Sequence, residues 1–186
     1  MSRLRYNRRA AVEHLKTTCP HMAALIKEKG AFKLQVSKDA DLFTSLAQAI
    51  AYQQLSGKAA ATIHGRFEAL FENNHPTAAA TVDMPVATLR SVGLSNGKAL
   101  SILDLAEHVV SGALPGPRKM AGMDDEEVTS SLCTVRGIGP WTAQMHLIFV
   151  LGRPDVMPAT DLGIQKGVQA AYGLPALPTP EEVLDI

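Results

Sequence analysis

The chain has 186 residues, of which 46% are hydrophobic and 5% aromatic, and this composition suits one helical domain with a real core. Its 18 Lys and Arg balance 18 Asp and Glu, so net charge does not indicate a nucleic-acid partner. No apolar run is long enough to span a membrane, and the first residues lack the apolar segment of a signal peptide. We therefore expect an intracellular protein with no membrane partner.

Helix start and stop residues recur along the chain, which predicts an all-α protein of nine or ten short helices. Alternation of apolar and polar residues occurs only around 32–36 and is too short to build a sheet. The predicted helices occupy residues 20–30, 42–55, 57–73, 85–92, 96–111, 124–135, 140–151 and 161–172.

The last residues begin one further helix. Thr179, Pro180 and two glutamates form a strong helix start, yet little more than one turn remains before Ile186. Because an isolated helix of that length is unstable, we expect the chain to be truncated at its C-terminus.

Cysteine and histidine positions indicate no metal site. Neither Cys19 nor Cys133 has a partner at metal-ligand spacing, and none of the six His forms a pair at ligand spacing with another His, Cys or acid in a convincing context. We expect buried free thiols, no iron–sulfur cluster and no metal held by side chains.

The segment Gly137-Ile138-Gly139-Pro140 predicts a tight hairpin between two helices. Glycine permits close approach of the backbone, and the amides at the start of the next helix can bind an anion. The alternative is an ordinary corner between helices, but apolar residues on both sides are spaced as two packed helices require. The pattern therefore favours a hairpin that binds a nucleic-acid phosphate.

Asp161 follows a loop twenty residues after Trp141 and precedes a predicted helix. Taken alone, such an aspartate is a helix cap. A carboxylate beside a phosphate-binding hairpin is repelled by DNA, however, so a protein that only binds DNA would do better without it. Its presence suggests catalysis.

These segments together resemble the helix-hairpin-helix DNA glycosylases that have a Gly/Pro-rich loop and a single Asp, and most of all the 3-methyladenine (alkylbase) DNA glycosylases. The resemblance spans roughly residues 42–184 and rests on IAYQQLS at 50–56, GLSNGKA at 93–99, the hairpin and residues 158–167. It implies one two-lobed all-α glycosylase domain over 1–186, with a DNA-binding cleft between lobe one (36–118) and lobe two (1–35 with 119–186). The closing C-terminal helix of the family is missing.

By this resemblance Asp161 is the catalytic carboxylate. Trp141 stands where lyase-type members carry a lysine nucleophile, so we expect a monofunctional enzyme in which water attacks. The Trp141 indole would attract a cationic base, with Met145 and Leu162 also facing the base pocket. The alternative for Trp141 is a core residue.

The resemblance also implies a set of DNA-contacting residues. Leu55 or Gln54 would be the wedge that fills the gap left by a flipped base; a core leucine is the alternative for Leu55, and plain surface charge is the alternative for Lys98. The full set is Gln53, Gln54, Leu55, Ser56, Ser95, Lys98, Gly137, Ile138, Gly139 and Thr142.

The function expected is base excision repair: hydrolysis of the N-glycosidic bond of alkylated purines, chiefly 3-methyladenine, to leave an abasic site. The alternatives are the same fold acting on a deaminated base, and a non-catalytic helix-hairpin-helix module that only binds DNA. We expect a monomer that acts on double-stranded DNA containing alkylated bases, in the cytoplasm or nucleoid of a prokaryote or the nucleus of a eukaryote. No cofactor is expected beyond a monovalent cation that, by resemblance, the hairpin carbonyls can hold.

Overall fold

The computed structural model describes residues 4–37 and 41–186, and every regular element in these ranges is helical. The all-α prediction is therefore confirmed. None of the described helices is both long and apolar enough to cross a bilayer. In chain order the helices are α1 (Arg8–Thr18), α2 (Pro20–Lys29), α3 (Leu42–Tyr52), α4 (Gly57–Glu68), α5 (Ala78–Thr81), α6 (Val86–Ser91), α7 (Asn96–Val110), α8 (Pro117–Gly122), α9 (Asp125–Leu132), α10 (Pro140–Phe149), α11 (Leu162–Tyr172) and α12 (Pro180–Asp185), with a 3-10 turn at Glu72–Asn74.

Four helices, α3, α4, α9 and α10, end two or more residues earlier than the sequence predicts, and three helices were not predicted. Helix α3 stops at Tyr52 because Gln54 adopts a left-handed backbone conformation, with φ of 56°. Helix α4 stops at Glu68, before the 3-10 turn, in which Asn73 has φ of 54°. The unpredicted helices are α1, α5 and α8.

The chain forms two compact units. The central unit is Asp39–Ala143, and the terminal unit combines Met1–Lys38 with Gln144–Ile186, so that the boundary falls inside α10. The lobe boundaries expected from the sequence place residues 119–143 with the N-terminal segment. In the structure these residues group with the central helices instead. Hydrogen bonds described below, from Gln53 to Gly137 and from Arg136 to Asp104 of α7, connect these residues to the central helices.

The central unit is built around α3 and α7, which pack against each other. Burial of each large apolar side chain contributes roughly 1.5–3 kcal/mol. The buried apolar face of α3 has four members that are at most 2% exposed: Phe43, Leu46, Ala47 and Ile50. On α7 the buried members are Ala99, Ile102, Leu105 and Ala106.

In the terminal unit α2 packs against α1 and α11, and α11 also contacts α12. The His21 ring stacks on Tyr172 with centroids 4.5 Å apart, and its Nδ1 lies 3.0 Å from the Ala171 carbonyl oxygen. The short α12 is held by a reciprocal cap between Thr179 and Glu182 and by the buried Val183.

Both cysteines are free, as predicted, but each is half-buried rather than buried. The Cys19 thiol caps α2 and lies 3.3 Å from the Tyr172 hydroxyl oxygen, which lowers the thiol pKa. Burial raises the pKa of Cys133.

Candidate nucleic-acid interface and catalytic carboxylate

The predicted hairpin occupies residues 133–139 of the central unit, between α9 and α10. Its tip closes where the Ile138 amide donates to the Val135 carbonyl at 3.1 Å. The Ile138 side chain is only 4% exposed and anchors the turn in the core, so of this residue only the backbone can meet a ligand.

Gly137 is required at the tip for two reasons. Its φ of 76° is a left-handed conformation that L side chains rarely adopt. In addition, a Cβ at this position would overlap the Ser101 Oγ on α7. Gly139 has neither constraint, since nothing lies within 4 Å of a Cβ built there.

Helix α7 also holds the residue before the tip. The Asp104 carboxylate accepts a hydrogen bond from the Arg136 amide at 2.7 Å. Ser101 and Asp104 were not predicted as site residues, although polar side chains three residues apart on one face of a predicted helix were a visible signal.

The first turn of α10 carries two predicted site residues with different surroundings. Trp141 is 42% exposed and is therefore not a buried core residue. Thr142 is 4% exposed, and its Oγ1 accepts a hydrogen bond from the Gln53 Nε2 at 3.4 Å, so its side chain faces the protein. Pro140 opens the helix at a position where a missing N–H costs nothing. The backbone amides of such a helix start are the groups that bind anions.

The second predicted DNA-contacting segment is the turn between α3 and α4, here called the Gln-Gln-Leu turn (Gln53, Gln54 and Leu55). Gln54 is exposed, and Leu55 is 39% exposed, which is inconsistent with a core leucine. Ser56 begins α4, and its hydroxyl makes no capping hydrogen bond. The turn thus presents two adjacent side chains to the surroundings.

Two side chains tie this turn to its neighbours. The Gln53 Nε2 donates to the Gly137 carbonyl at 3.0 Å and so links the Gln-Gln-Leu turn to the hairpin. The Lys98 Nζ donates to the carbonyls of Ala51 and Gln53 at 2.9 and 2.6 Å. Burial lowers the pKa of Lys98. Both residues were predicted to contact DNA, and the structure gives each an intramolecular partner.

Ser95 precedes α7 and caps it, because its Oγ accepts a hydrogen bond from the Lys98 amide at 3.3 Å. The residue is exposed. Its hydroxyl therefore fixes the start of the helix that supports both turns.

The terminal unit contains the predicted carboxylate. Asp161 is the N-cap of α11, with Oδ1 accepting a hydrogen bond from the Ile164 amide at 3.0 Å. The loop before it is anchored by the buried Pro158 and Ala159, and the Asp161 amide donates to the Pro158 carbonyl at 2.9 Å. The cap interpretation is confirmed, and it also gives the carboxylate a defined orientation.

Gly163 leaves room for that carboxylate. A Cβ at Gly163 would lie 2.9 Å from the Asp161 Oδ1. Of the other residues predicted for the base pocket, Leu162 is 53% exposed and Met145 is half-buried on α10.

Within the described ranges, no three His, Cys, Asp or Glu side chains are grouped as a metal ion would require. Three hairpin carbonyls accept hydrogen bonds: Val135 from Ile138, Gly137 from Gln53 and Gly139 from Ala143. Each carbonyl oxygen has a second lone pair, so the turn is compatible with a cation held by backbone oxygens.

Comparison with known proteins supplies the family. A family model described as HhH-GPD superfamily base excision DNA repair protein matches residues 47–186. DNA-3-methyladenine glycosylase 1 of Schizosaccharomyces pombe is 36% identical over 173 residues, which cover 92% of this chain and 76% of that protein.

Solved structures agree. The 3-methyladenine DNA glycosylase of S. pombe in complex with abasic DNA superposes with a TM-score of 0.86 at 35% identity, over 95% of this chain and 86% of the other. A DNA-3-methyladenine glycosidase from Bacillus halodurans gives a TM-score of 0.82 at 32% identity, over 94% and 78% of the two chains. Since the family model spans more than half of the sequence, this chain belongs to the HhH-GPD superfamily of base excision DNA repair proteins.

Proposed function

We propose that this chain is a monofunctional DNA glycosylase that releases alkylated purines, chiefly 3-methyladenine, from double-stranded DNA and leaves an abasic site. The observation that carries the monofunctional assignment is Trp141, an exposed indole in the first turn of α10 where a lyase would need an amine. The alkylated-purine substrate is supported by the 36% identical relative named DNA-3-methyladenine glycosylase 1. We propose that the protein acts as a monomer, in the compartment that holds the DNA.

In this proposal the hairpin binds the sugar-phosphate backbone. Gly137 and Gly139 let a phosphate approach the amides at the start of α10. Backbone amides carry no base information, so this contact places the duplex without reading its sequence. A monovalent cation at the hairpin would be held by carbonyl oxygens of Val135 and Gly137 and would add positive charge beside the phosphate.

The Gln-Gln-Leu turn would enter the duplex. The target base must leave the stack before its bond to the sugar can be reached, and an inserted side chain fills the gap. The exposed Leu55 and Gln54 are the two candidates, and the left-handed backbone at Gln54 turns the chain outward between α3 and α4.

Asp161 would supply the chemistry. As the C1′–N bond breaks, the base leaves with the bonding electrons and positive charge develops on the sugar. An ionised carboxylate stabilises that charge, and it can accept a proton as water adds to C1′. A cationic alkylated purine departs as a neutral base, so no general acid is needed. Trp141, Met145 and Leu162 are proposed to contact the base, the indole through a cation–π interaction.

The proposal is tested with duplexes that each carry one defined lesion, including 3-methyladenine and deaminated bases. We expect free alkylated purine, identified by chromatography, and strand breakage only after alkali. Immediate strand cleavage would show a lyase and contradict the monofunctional assignment. Preferential release of a deaminated base would assign the fold to another lesion.

Asp161→Asn separates an enzyme from a protein that only binds DNA. Asparagine caps helices as well as aspartate does, so the variant should fold normally, bind the duplex and lose base release by at least about 100-fold. Asp41→Asn is the matched control, because Asp41 caps α3 through the same kind of bond, to the Thr44 amide at 3.0 Å. Unchanged base release by Asp161→Asn would remove this carboxylate from the mechanism.

A further inference from the structure

The end of α3 is held by one half-buried ammonium group, that of Lys98. The last carbonyls of a helix lack intrahelical donors, and here Lys98 donates to two of them, on Ala51 and Gln53. A positive charge is favourable at this end of the helix dipole. The two bonds lie directly before Gln54, whose left-handed backbone sets the direction of the Gln-Gln-Leu turn.

The same face of α7 also supports the hairpin. Lys98, Ser101 and Asp104 follow one another at intervals of three residues and so share a face. Ser101 packs against Gly137, and Asp104 binds the Arg136 amide. One helix thus fixes both segments that are proposed to contact DNA.

A lysine that binds phosphate normally extends its ammonium into water. The Lys98 ammonium instead donates two hydrogen bonds to backbone carbonyls, which leaves one of its three N–H donors for other partners. The lysine is half-buried, so water is partly excluded from its ammonium group, and this burial lowers its pKa. Charge-assisted hydrogen bonds offset the cost of that desolvation.

We propose that Lys98 is a positioning residue that holds the Gln-Gln-Leu turn in the conformation that enters the duplex, rather than a phosphate contact. The inference rests on the proposed function, since the turn needs a fixed conformation only if it is inserted into DNA. Lys98 then acts on base release through Leu55 and Gln54, without touching the substrate.

Two neutral variants of similar length test it. Lys98→Met removes both the charge and the donors, whereas Lys98→Gln removes the charge and keeps an amide that can donate to the carbonyls. Lys119→Met, at an exposed lysine of α8, is the control for loss of one positive charge from the same unit. Each variant is measured for thermal unfolding, for single-turnover base release at saturating protein, and for the salt dependence of binding to undamaged duplex.

If Lys98 is a positioning residue, Lys98→Met should slow base release about tenfold or more even at saturation, and Lys98→Gln should be clearly faster than Lys98→Met. The slope of log affinity against log salt should match that of the wild type. A phosphate contact predicts the opposite: both variants behave alike, the slope falls by about 0.9, and saturation restores the rate. That result would overturn the inference.

A second readout keeps this test separate from the proposed function. A duplex with a stable abasic analogue beside 2-aminopurine reports unstacking by fluorescence and needs no base release. If the wild type unstacks this duplex but releases no base, the proposed function fails while the Lys98 comparison can still be made. Equal fluorescence gain with wild type and folded Lys98→Met would refute the role of Lys98. If Lys98→Met does not fold, the comparison is made between Lys98→Gln and wild type.

Discussion

At the scale of single residues, Gly163 determines where the Asp161 carboxylate can lie. A methyl group at Gly163 would come within 2.9 Å of the Asp161 Oδ1, and the carboxylate is the part that can rotate away. Gly163 has no positive φ, so alanine fits the helix backbone. The expected gain of up to about 1 kcal/mol in helix propensity roughly offsets the loss of the cap.

We therefore predict that Gly163→Ala unfolds at nearly the wild-type temperature yet loses most base release. The measurement is single-turnover release from an alkylated duplex beside a thermal melt. Gly167→Ala is the matched control, because it lies on the same helix and nothing is within 4 Å of its added Cβ. It should raise the unfolding temperature and keep its activity. Full activity of Gly163→Ala would mean that the exact position of the carboxylate does not limit the reaction.

At the scale of elements, local sequence was sufficient to predict where most of the helices begin, α1, α5 and α8 excepted. Four predicted side-chain caps are observed, because a cap depends on one side chain and the amides two or three residues later; the cap expected at Ser56 is wrong, since the Ser56 hydroxyl makes no capping hydrogen bond. The confirmed caps are Asp41, Ser95, Asp161 and Thr179. Asp124, expected within an acidic first turn, is the cap of α9.

Helix ends and turn partners depended on residues distant in sequence. Nothing within residues 42–55 indicates that Lys98 would bind the carbonyls of Ala51 and Gln53, or that Gln53 would reach Gly137. Helix α1 was not predicted although Asn7 caps it, because it has few apolar residues to form a periodic pattern. None of its residues is buried in the structure. The glycines of the hairpin were predicted, but the specific reason for Gly137, its contact with Ser101, required the fold.

The two hairpin glycines differ in a way that separates folding from DNA binding. Gly137→Ala should lower the free energy of unfolding by about 1–2 kcal/mol or more, since φ is positive and Ser101 blocks the methyl group. Gly139→Ala should leave stability nearly unchanged. If a phosphate approaches the backbone at Gly139, the affinity of the Gly139→Ala variant for undamaged duplex should fall at least about tenfold, which is 1.4 kcal/mol.

Urea unfolding and fluorescence anisotropy on a labelled duplex measure the two effects independently. The informative variant is Gly139→Ala, because its loss of binding has no explanation in stability. Wild-type affinity in that variant would place the phosphate elsewhere on the chain. A large loss of stability in Gly139→Ala would instead give this glycine a folding role like that of Gly137.

At the scale of the whole molecule, each compact unit contains a buried histidine that burial keeps neutral. In the terminal unit His146 is 5% exposed, and burial lowers its pKa from 6.5 to about 4. In the central unit His64 is 6% exposed, and burial lowers its pKa while Glu68 opposes the change. Both units should therefore lose stability in mild acid, although the net charge of the chain near pH 7 is zero.

The magnitude can be stated for His146. Above pH 6.5 the imidazole is neutral in both folded and unfolded chains, so its contribution to stability is fully present. Between pH 6.5 and about 4 only the unfolded chain takes up the proton, and stability falls by up to about 1.4 kcal/mol per pH unit. The total loss is on the order of 3 kcal/mol, and below about pH 4 this group causes no further change.

We predict that His146→Gln flattens the pH dependence of unfolding between pH 6.5 and 4, whatever its effect on stability at pH 7. Urea unfolding at half-unit pH intervals measures how the free energy of unfolding changes with pH. Subtracting the wild-type curve from the variant's cancels the contribution of the carboxylates that both proteins share. His14→Gln, at an exposed histidine of α1, should retain the wild-type slope. A buried imidazole that stays neutral must make the folded chain less stable as the pH falls through this range. Parallel curves for wild type and His146→Gln would therefore show that His146 accepts its proton in the folded chain as readily as in the unfolded one.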